Sequence, residues 1–256
     1  MAEKEITLSE KVYLQIRMDI LSCRLPPSAR LNITSLCKQH EVSLGAVREA
    51  LARLSSEGFV RSEPQQGFKV AEISAEELAD LTEVRTHIEC LCLKHSIENG
   101  DISWEADLVA SFHRMSRTPQ RDPTDQERLG DNFADAHRQF HSALVSACNS
   151  PWLLRIREGL YAQSERYRRL SLPLARRERD VNSEHKEIMD AALAKDIPKA
   201  LALLESHLTV TTRVLLDTPE VSGDAETTKS KAGKAKVANS PTKKSPRKKG
   251  DPKATV

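Results

Sequence analysis

The sequence predicts a mainly α-helical protein with an N-terminal winged helix-turn-helix, whose wing is two-stranded, and a C-terminal all-α antiparallel bundle. Charged residues make up 30% of the 256 residues and aromatic residues only 4%, a composition that favours helices over an aromatic-rich β-sandwich. Apolar side chains recur at three- and four-residue spacing along most of the chain. The spacing changes between residues 59 and 70, where two short apolar stretches flank a turn.

The first 72 residues have the layout of a winged helix-turn-helix domain. Helical spacing predicts helices over residues 8–23, 34–40 and 44–57, with Ser43 as the N-cap of the third helix and Gly58 directly after its end. Short strands at 59–61 and 68–70, joined by a turn at 63–67, form the predicted wing. We therefore expect a DNA-binding domain over residues 1–72.

The strand signal disappears after residue 73. Ser74 and Glu77 form a capping box that opens a helix reaching Asn99. Further helices are predicted over residues 103–117, 126–148, 151–171, 176–195 and 197–217, which define an all-α domain at 73–218. Residues 219–256 are rich in Ser, Thr, Lys, Gly and Pro and lack apolar periodicity, so we expect a disordered tail.

Charge and cysteine content exclude several classes of protein. The net charge of +2 combines a tail over 227–256, with ten basic residues and one acidic residue, and a body with 29 basic and 36 acidic residues. No apolar run approaches the 18–20 residues of a membrane span, and the N-terminus lacks the pattern of a secretion signal. Five cysteines without a CxxC pair indicate reduced thiols. We expect a cytoplasmic protein.

The candidate DNA-contacting residues lie on the second helix of the helix-turn-helix and on the wing. The N-terminal residues of that helix face base edges in the major groove, and an arginine one turn further on can reach phosphate or guanine. The predicted contact residues are Ser43, Leu44, Gly45, Ala46, Arg48 and Arg53 on the helix, with Gln66, Gly67 and Lys69 on the wing.

The alternative is a domain of the same fold that contacts only protein. Residues 1–72 hold ten basic and nine acidic residues, so their net field attracts DNA weakly. Binding would then depend on clustered basic groups, dimerisation or the basic tail. The lysine-rich tail is either a solvated extension or a phosphate-binding segment that raises the rate of DNA association.

Four histidines on three predicted helices fall on apolar stripes. They are His137 and His141, one turn apart, with His185 and His207 on the last two helices. A single inward histidine is usually a hydrogen-bonded core residue. Four together are costly to bury without partners, and a divalent metal satisfies several imidazoles at once.

Arg85 lies on the apolar stripe of its helix together with Leu81 and Ile88. It either forms a salt bridge within the bundle, for example to Glu89 one turn on, or binds a ligand carboxylate through its planar guanidinium. Tyr167 is placed to donate its hydroxyl to the same ligand. A metal and an arginine in one apolar bundle select a small acid, and two cationic points suit a dicarboxylate.

The string VSLGAVREALARLSSEGFVRSEPQQGFKV resembles the signature of GntR-family winged-helix regulators. The later strings DAHRQFHSALVSACNS, SEHKEIMDAAL and LLESHL resemble the all-helical effector domain (FCD type) of the FadR subgroup, and LGAVREAL, HRQFHSAL and ERYRRL are most similar to its glutarate-responsive CsiR (GlaR) regulators. The resemblance covers residues 8–217. Leu44 departs from the family, which often has arginine there, so we expect a different operator.

The resemblance implies that His141, His185 and His207 are metal ligands. His137 stands where the family commonly has Asp or Asn. With nitrogen in place of that oxygen, the expected ion is Zn²⁺ or Ni²⁺; alternatively, His137 meets the effector directly and no metal is bound. Glutarate and 2-hydroxyglutarate are the leading effector candidates. We expect a homodimeric repressor of a catabolic operon on a pseudo-palindromic operator.

Two other functions remain to be weighed. A helical-bundle metalloenzyme is conceivable, but the sequence contains no Glu-x-x-His pair, no His-Glu-x-x-His, no P-loop, no Gly-x-Ser-x-Gly and no obvious carboxylate beside the histidines. We therefore predict that the chain is not an enzyme. A constitutive architectural DNA-binding protein would rely mainly on the basic tail and would not respond to an effector.

Overall fold

The N-terminal domain contains three short helices with capped N-termini. The computed structural model of the chain describes residues 6–126, 128–174 and 180–216. Helices α1 (Leu8–Leu21), α2 (Ile33–His40) and α3 (Leu44–Ser56) begin after Thr7, Asn32 and Ser43, whose side chains each accept a backbone N–H of the first turn. Ser43 is the N-cap that the sequence predicts, and it fixes the start of the second helix of the helix-turn-helix.

The small sheet has one strand more than the predicted wing. Strands β1 (Arg30–Leu31), β2 (Val60–Glu63) and β3 (Gly67–Val70) are antiparallel in the order β1-β3-β2. Arg30 pairs with Lys69, and Val60 pairs with Val70. The two-residue β1 was missed because it is too short to show alternation, and its partner strand decides its conformation.

Six helices within the described ranges form the C-terminal bundle. They are α4 (Ala75–Asn99), α5 (Ile102–Arg117), α6 (Asp131–Leu144), α7 (Pro151–Leu174), α8 (Val181–Leu193) and α9 (Ile197–Leu216). The prediction of a helix over 126–148 was too long at both ends. Residues 121 and 129 form an isolated bridge, and Gly130 precedes the first turn of α6, so the polar segment before it folds back as a loop.

Each part of the chain has its own apolar core. The first core packs α1, α2 and α3 against the sheet, and Ala162 of α7 joins it. The second core lies between the bundle helices and includes Leu93, Leu108, Phe140, Ile188 and Leu204. Helix α7 therefore contacts both cores. In the part of the chain that the structure describes, no helix is long and apolar enough to cross a membrane. The predicted tail at 219–256 and the predicted start of α8 at 176 lie outside the described residues.

Candidate metal centre and adjoining pocket

The structure brings the four predicted histidines together in the bundle. His137 and His141 come from α6, His185 from α8 and His207 from α9. All four are buried, and each offers a ring nitrogen within 4.8 Å of those of the others. Helical spacing on α6 sets His137 and His141 one turn apart, whereas the packing of α8 and α9 brings the other two rings beside them.

Hydrogen bonds to the Nδ1 atoms orient three of the rings. His185 Nδ1 lies 2.6 Å from the Val181 carbonyl oxygen and His207 Nδ1 lies 2.8 Å from Glu184 Oε2. Because both partners are acceptors, each Nδ1 carries the proton, and Nε2 keeps its lone pair. His137 Nδ1 lies 3.1 Å from the Tyr161 hydroxyl. Partners of this kind orient metal-ligating histidines in proteins.

His141 and His185 are in direct contact through their Nε2 atoms, which lie 3.1 Å apart. Because His185 Nε2 carries no hydrogen, His141 Nε2 donates a hydrogen bond to it when no metal ion lies between the two rings. The buried Nδ1 of His141 has no hydrogen-bond partner. The donor set of four converging imidazoles fits Zn²⁺ or Ni²⁺.

Burial favours the neutral form of His137 and His141, the form in which an imidazole binds a metal. Loss of solvation lowers the pKa of His137 well below its ordinary value, and the charges of Arg168 and the neighbouring histidines lower it further. The pKa of His141 is also lowered, first by burial and then by His185, His207, Arg85 and Arg157.

The expectation that no carboxylate lies beside the histidines was wrong. Glu184 precedes His185 on α8, yet its side chain reaches across to His207 on α9. Neighbouring residues on a helix point in different directions, so the sequence carried no signal for this contact. Glu184 binds the outer nitrogen of His207, and the inner nitrogen faces the cluster.

A narrow pocket beside the histidines is lined by Arg85, one of the predicted site residues; its volume of about 20 Å³ has room for about one water, so a larger ligand must widen it. Its lining residues are Leu78, Thr82, Arg85, Ser164, Tyr167, Arg168, Leu208 and Thr212, from α4, α7 and α9. The side chain of Arg85 is 11% exposed and pairs with Glu89 at 3.2 Å. The predicted salt bridge is therefore present. Arg85 also donates to the Ser164 hydroxyl and lines the pocket, whereas its binding of a ligand carboxylate stays a prediction.

Tyr161 connects this pocket with the histidines and was missed by sequence reasoning. Its ring centroid lies 5.0 Å from the guanidinium carbon of Arg85 and 5.4 Å from that of Arg157, and its hydroxyl contacts His137. Burial is the main cause that raises its pKa. Tyr167, which was predicted to meet the ligand, lines the pocket but donates its hydroxyl to Glu77 at 2.8 Å.

A buried ion pair between Arg157 and Glu89 joins Arg85 of the pocket to the backbone of His141. Arg157 Nε lies 2.7 Å from Glu89 Oε2, and these side chains are 3% and 1% exposed. Arg157 also donates to the His141 carbonyl oxygen at 2.9 Å. Helices α4, α6 and α7 are thereby joined through one arginine. The sequence marks Glu89 only as a partner for Arg85 and does not mark Arg157, because their contact depends on how α4 and α7 pack.

The predicted DNA-contacting residues on α3 occupy two different settings. At its start, Ser43 accepts the Ala46 N–H, and Leu44, Gly45 and Arg48 are exposed. Arg53, further along the helix, is 48% exposed, but its charge is paired with residues of its own domain. It pairs with Glu10 and lies 3.7 Å above the centre of the Tyr13 ring.

The wing presents a tight turn between β2 and β3. Gln65 and Gly67 have φ values of 63° and 85°, a left-handed conformation that suits glycine. Gln66 accepts a hydrogen bond from Arg30, and Lys69 pairs with Glu63 at 2.7 Å. Gln66 and Gly67 are exposed, whereas the charge of Lys69 is paired across the hairpin.

Family models match both parts of the chain. Residues 8–70 match the gntR family of bacterial regulatory proteins, and residues 80–210 match the FCD domain. Two solved structures share the fold: a GntR regulator from Rhodococcus sp. RHA1, with 23% identity over 81% of this chain and 97% of that chain, and E. coli McbR/YncC, with 22% identity over 82% and 97%. The TM-score is 0.66 for each.

Curated relatives include the HTH-type transcriptional regulator BphR of Paraburkholderia xenovorans (strain LB400), 41% identical over 79% of this chain and 82% of BphR. The HTH-type transcriptional repressor GlaR of Escherichia coli (strain K12) is 31% identical over 77% of this chain and 90% of GlaR. These proteins are transcription regulators and not enzymes, and this chain is a transcription regulator too. It belongs to the GntR family of bacterial regulatory proteins, with a winged helix-turn-helix joined to a C-terminal FCD domain.

Proposed function

We propose that this regulator is a repressor of a dicarboxylate catabolic operon, released from its operator by a small dicarboxylic acid bound in the pocket beside the histidines. The juxtaposition of Arg85 with four buried histidines carries this proposal, because it combines a carboxylate-binding group with a candidate metal centre. Similarity to the repressor GlaR and to glutarate-responsive regulators favours glutarate or 2-hydroxyglutarate.

The candidate metal ligands are the inner nitrogens of His137, His141, His185 and His207. When bound, Zn²⁺ or Ni²⁺ would supply a positive centre that attracts an anionic oxygen of the effector. Tyr161 and Glu184 hold the rings in position. In the alternative, His137 meets the effector directly without a metal.

Two arginines would bind the acid on the pocket side. Arg85 is anchored by Glu89 and Ser164, so its guanidinium is held on the pocket wall. Arg168 lines the same pocket, and its charge is the largest cause after burial of the lowered pKa of His137. Both guanidinium groups already pair with carboxylates, Arg85 with Glu89 and Arg168 with Glu165 at 2.8 and 2.9 Å, so the acid would share them; with the metal they suit a ligand with two carboxylates.

Helix α7 offers a direct route from this pocket to the DNA-binding domain. Ser164 and Tyr161 face the pocket and the histidines, whereas Gln163 donates to the Glu57 carbonyl oxygen at the end of α3. Arg166 lies over the Phe59 ring at 6.0 Å. We therefore infer that α7 couples ligand binding to DNA binding, together with residues 80–85 of α4, which include Arg85. Typical coupling of about 1–3 kcal/mol changes operator affinity roughly fivefold to 150-fold.

On the DNA, a homodimer would place two copies of α3 in successive major grooves of a pseudo-palindromic operator. Leu44, Gly45, Ala46 and Arg48 would face the bases, and the wing at Gln66 and Gly67 would approach the adjacent backbone. The paired charges of Arg53 and Lys69 suit phosphate contacts less well than the exposed Arg48 does.

The proposal is tested with the full chain and an operator selected from random duplexes. Glutarate, 2-hydroxyglutarate and other C4–C6 diacids are screened for a rise in melting temperature, with and without EDTA. We expect an active acid to raise the melting temperature, to release DNA in a gel shift, and to lose both effects after chelation. DNA binding that is unchanged by every acid and steeply salt-dependent would indicate the architectural alternative instead.

A further inference from the structure

Two threonine hydroxyls form a pair in the wall of the pocket. Thr82 on α4 and Thr212 on α9 have their Oγ1 atoms 2.6 Å apart, and both residues line the pocket. Thr82 Oγ1 also donates to the Leu78 carbonyl oxygen at 2.7 Å. The buried Thr212 is 9% exposed.

The hydrogens of this pair can be assigned from its partners. The Leu78 carbonyl only accepts, so the single hydroxyl hydrogen of Thr82 must point to it. Thr212 must then donate its own hydrogen to Thr82. Both hydrogens are used within the protein, and the lone pairs that remain on the two oxygens can only accept.

The neighbouring part of the wall has the opposite character. Arg85 follows Thr82 by three residues on α4, so the two side chains are neighbours on one helix face. A guanidinium only donates and suits a carboxylate. A donor group and an acceptor group therefore lie next to each other on the same wall.

We propose that the Thr82–Thr212 pair accepts a hydrogen bond from a hydroxyl on the carbon next to the carboxylate held by Arg85, so that the pocket selects 2-hydroxy acids over unsubstituted diacids. This inference rests on the proposed function. A 2-hydroxy acid carries its hydroxyl directly beside its carboxylate, as the neighbouring donor and acceptor require. A 2-amino acid also donates there, but its ammonium would face Arg85 and Arg168.

The first test compares ligands on the unmodified full chain. Calorimetric titration with each enantiomer of 2-hydroxyglutarate, with glutarate and with glutamate should show one hydroxy-acid enantiomer binding roughly threefold to tenfold tighter than glutarate, the effect of one net hydrogen bond. Equal or tighter binding of glutarate overturns the inference while the proposed function stands. Tighter glutamate binding overturns the hydroxyl assignment. If none of these acids binds, the proposed function fails and the inference fails with it.

The second test removes the acceptor pair. Thr212→Val should reduce the preference for the hydroxy acid over glutarate to less than about twofold, whereas Thr212→Ser should retain it. Thr209→Val is the matched control because it makes the same substitution on the same helix outside the pocket lining, where the hydroxyl bonds the Glu205 carbonyl oxygen. An undiminished preference in folded Thr212→Val overturns the assignment. If that variant does not fold, loss of the preference in Thr212→Ser decides against the inference.

Discussion

The hydroxyl of Tyr161 lies 3.1 Å from Nδ1 of His137, while the ring of the same tyrosine lies 5.0 Å from the guanidinium carbon of Arg85. One side chain on α7 therefore contacts the candidate metal centre and the arginine of the pocket. Under the proposed function, we expect an acid that moves Arg85 to change the orientation of His137 through this contact and to displace the helix whose Gln163 contacts the DNA-binding domain.

Tyr161→Phe should weaken metal binding roughly tenfold to hundredfold, because the ring of His137 loses the hydrogen bond that orients it. Competition with a chromophoric chelator measures the affinity. Tyr13→Phe is the control, since it removes a hydroxyl bonded to Glu57 in the other domain. Equal metal affinity in the two variants would show that Tyr161 does not orient a ligand.

Arg85→Ala should abolish the rise in melting temperature caused by the acid while operator binding survives. Glu89 keeps Arg157 as its partner in this variant, so the fold should persist. Arg85→Lys retains the charge without the planar fork and should restore only part of the response. A full ligand response in Arg85→Ala would place the carboxylate contact elsewhere.

Arg157→Met should lower the free energy of unfolding by about 3–5 kcal/mol, because it leaves Glu89 buried with fewer compensating contacts and removes the donor to the His141 carbonyl. Urea denaturation measures the difference. Lys186→Met breaks an exposed pair with Asp190 and should cost less than about 1 kcal/mol. Similar losses in both variants would contradict the role assigned to the buried pair.

Arg166→Met should leave the melting temperature unchanged or raise it. The arginine is 2% exposed, and its Nε and Nη1 atoms have no hydrogen-bond partner. A methionine keeps the apolar stem against Phe59 and removes a poorly compensated charge. Scanning calorimetry beside Arg157→Met, from the same helix, provides the comparison. A large destabilisation by Arg166→Met would show that the guanidinium is well stabilised at the domain contact.

Asp131→Asn should reduce the dependence of stability on acid pH. Burial raises the pKa of Asp131, but hydrogen bonds and charge from Arg169 and Arg24 outweigh it and hold the pKa below its ordinary value. A lowered folded-state pKa contributes stability at pH above about 4 that is lost as the pH falls through that pKa. Between pH 6 and pH 3, the free energy of unfolding should therefore fall more steeply with decreasing pH for the unmodified chain than for Asp131→Asn. Parallel curves would contradict this coupling.

The sequence by itself determined the elements and the inward direction of the key side chains. Ser43 as an N-cap, the start of α4 after Ser74 and the apolar stripes that carry His137, His141, His185 and His207 all follow from local capping and helical spacing. Local rules suffice there, because each involves residues within one or two turns.

Only the tertiary structure decided which side chains meet. The strand at Arg30 depends on pairing with Lys69, and the carboxylate on His207 comes from Glu184 of another helix. The hydroxyl on His137 comes from Tyr161, a residue that the sequence did not mark. The residues in these contacts are between 23 and 39 positions apart in the sequence. Helical periodicity gives the direction of a side chain but not the neighbour that packing places opposite it.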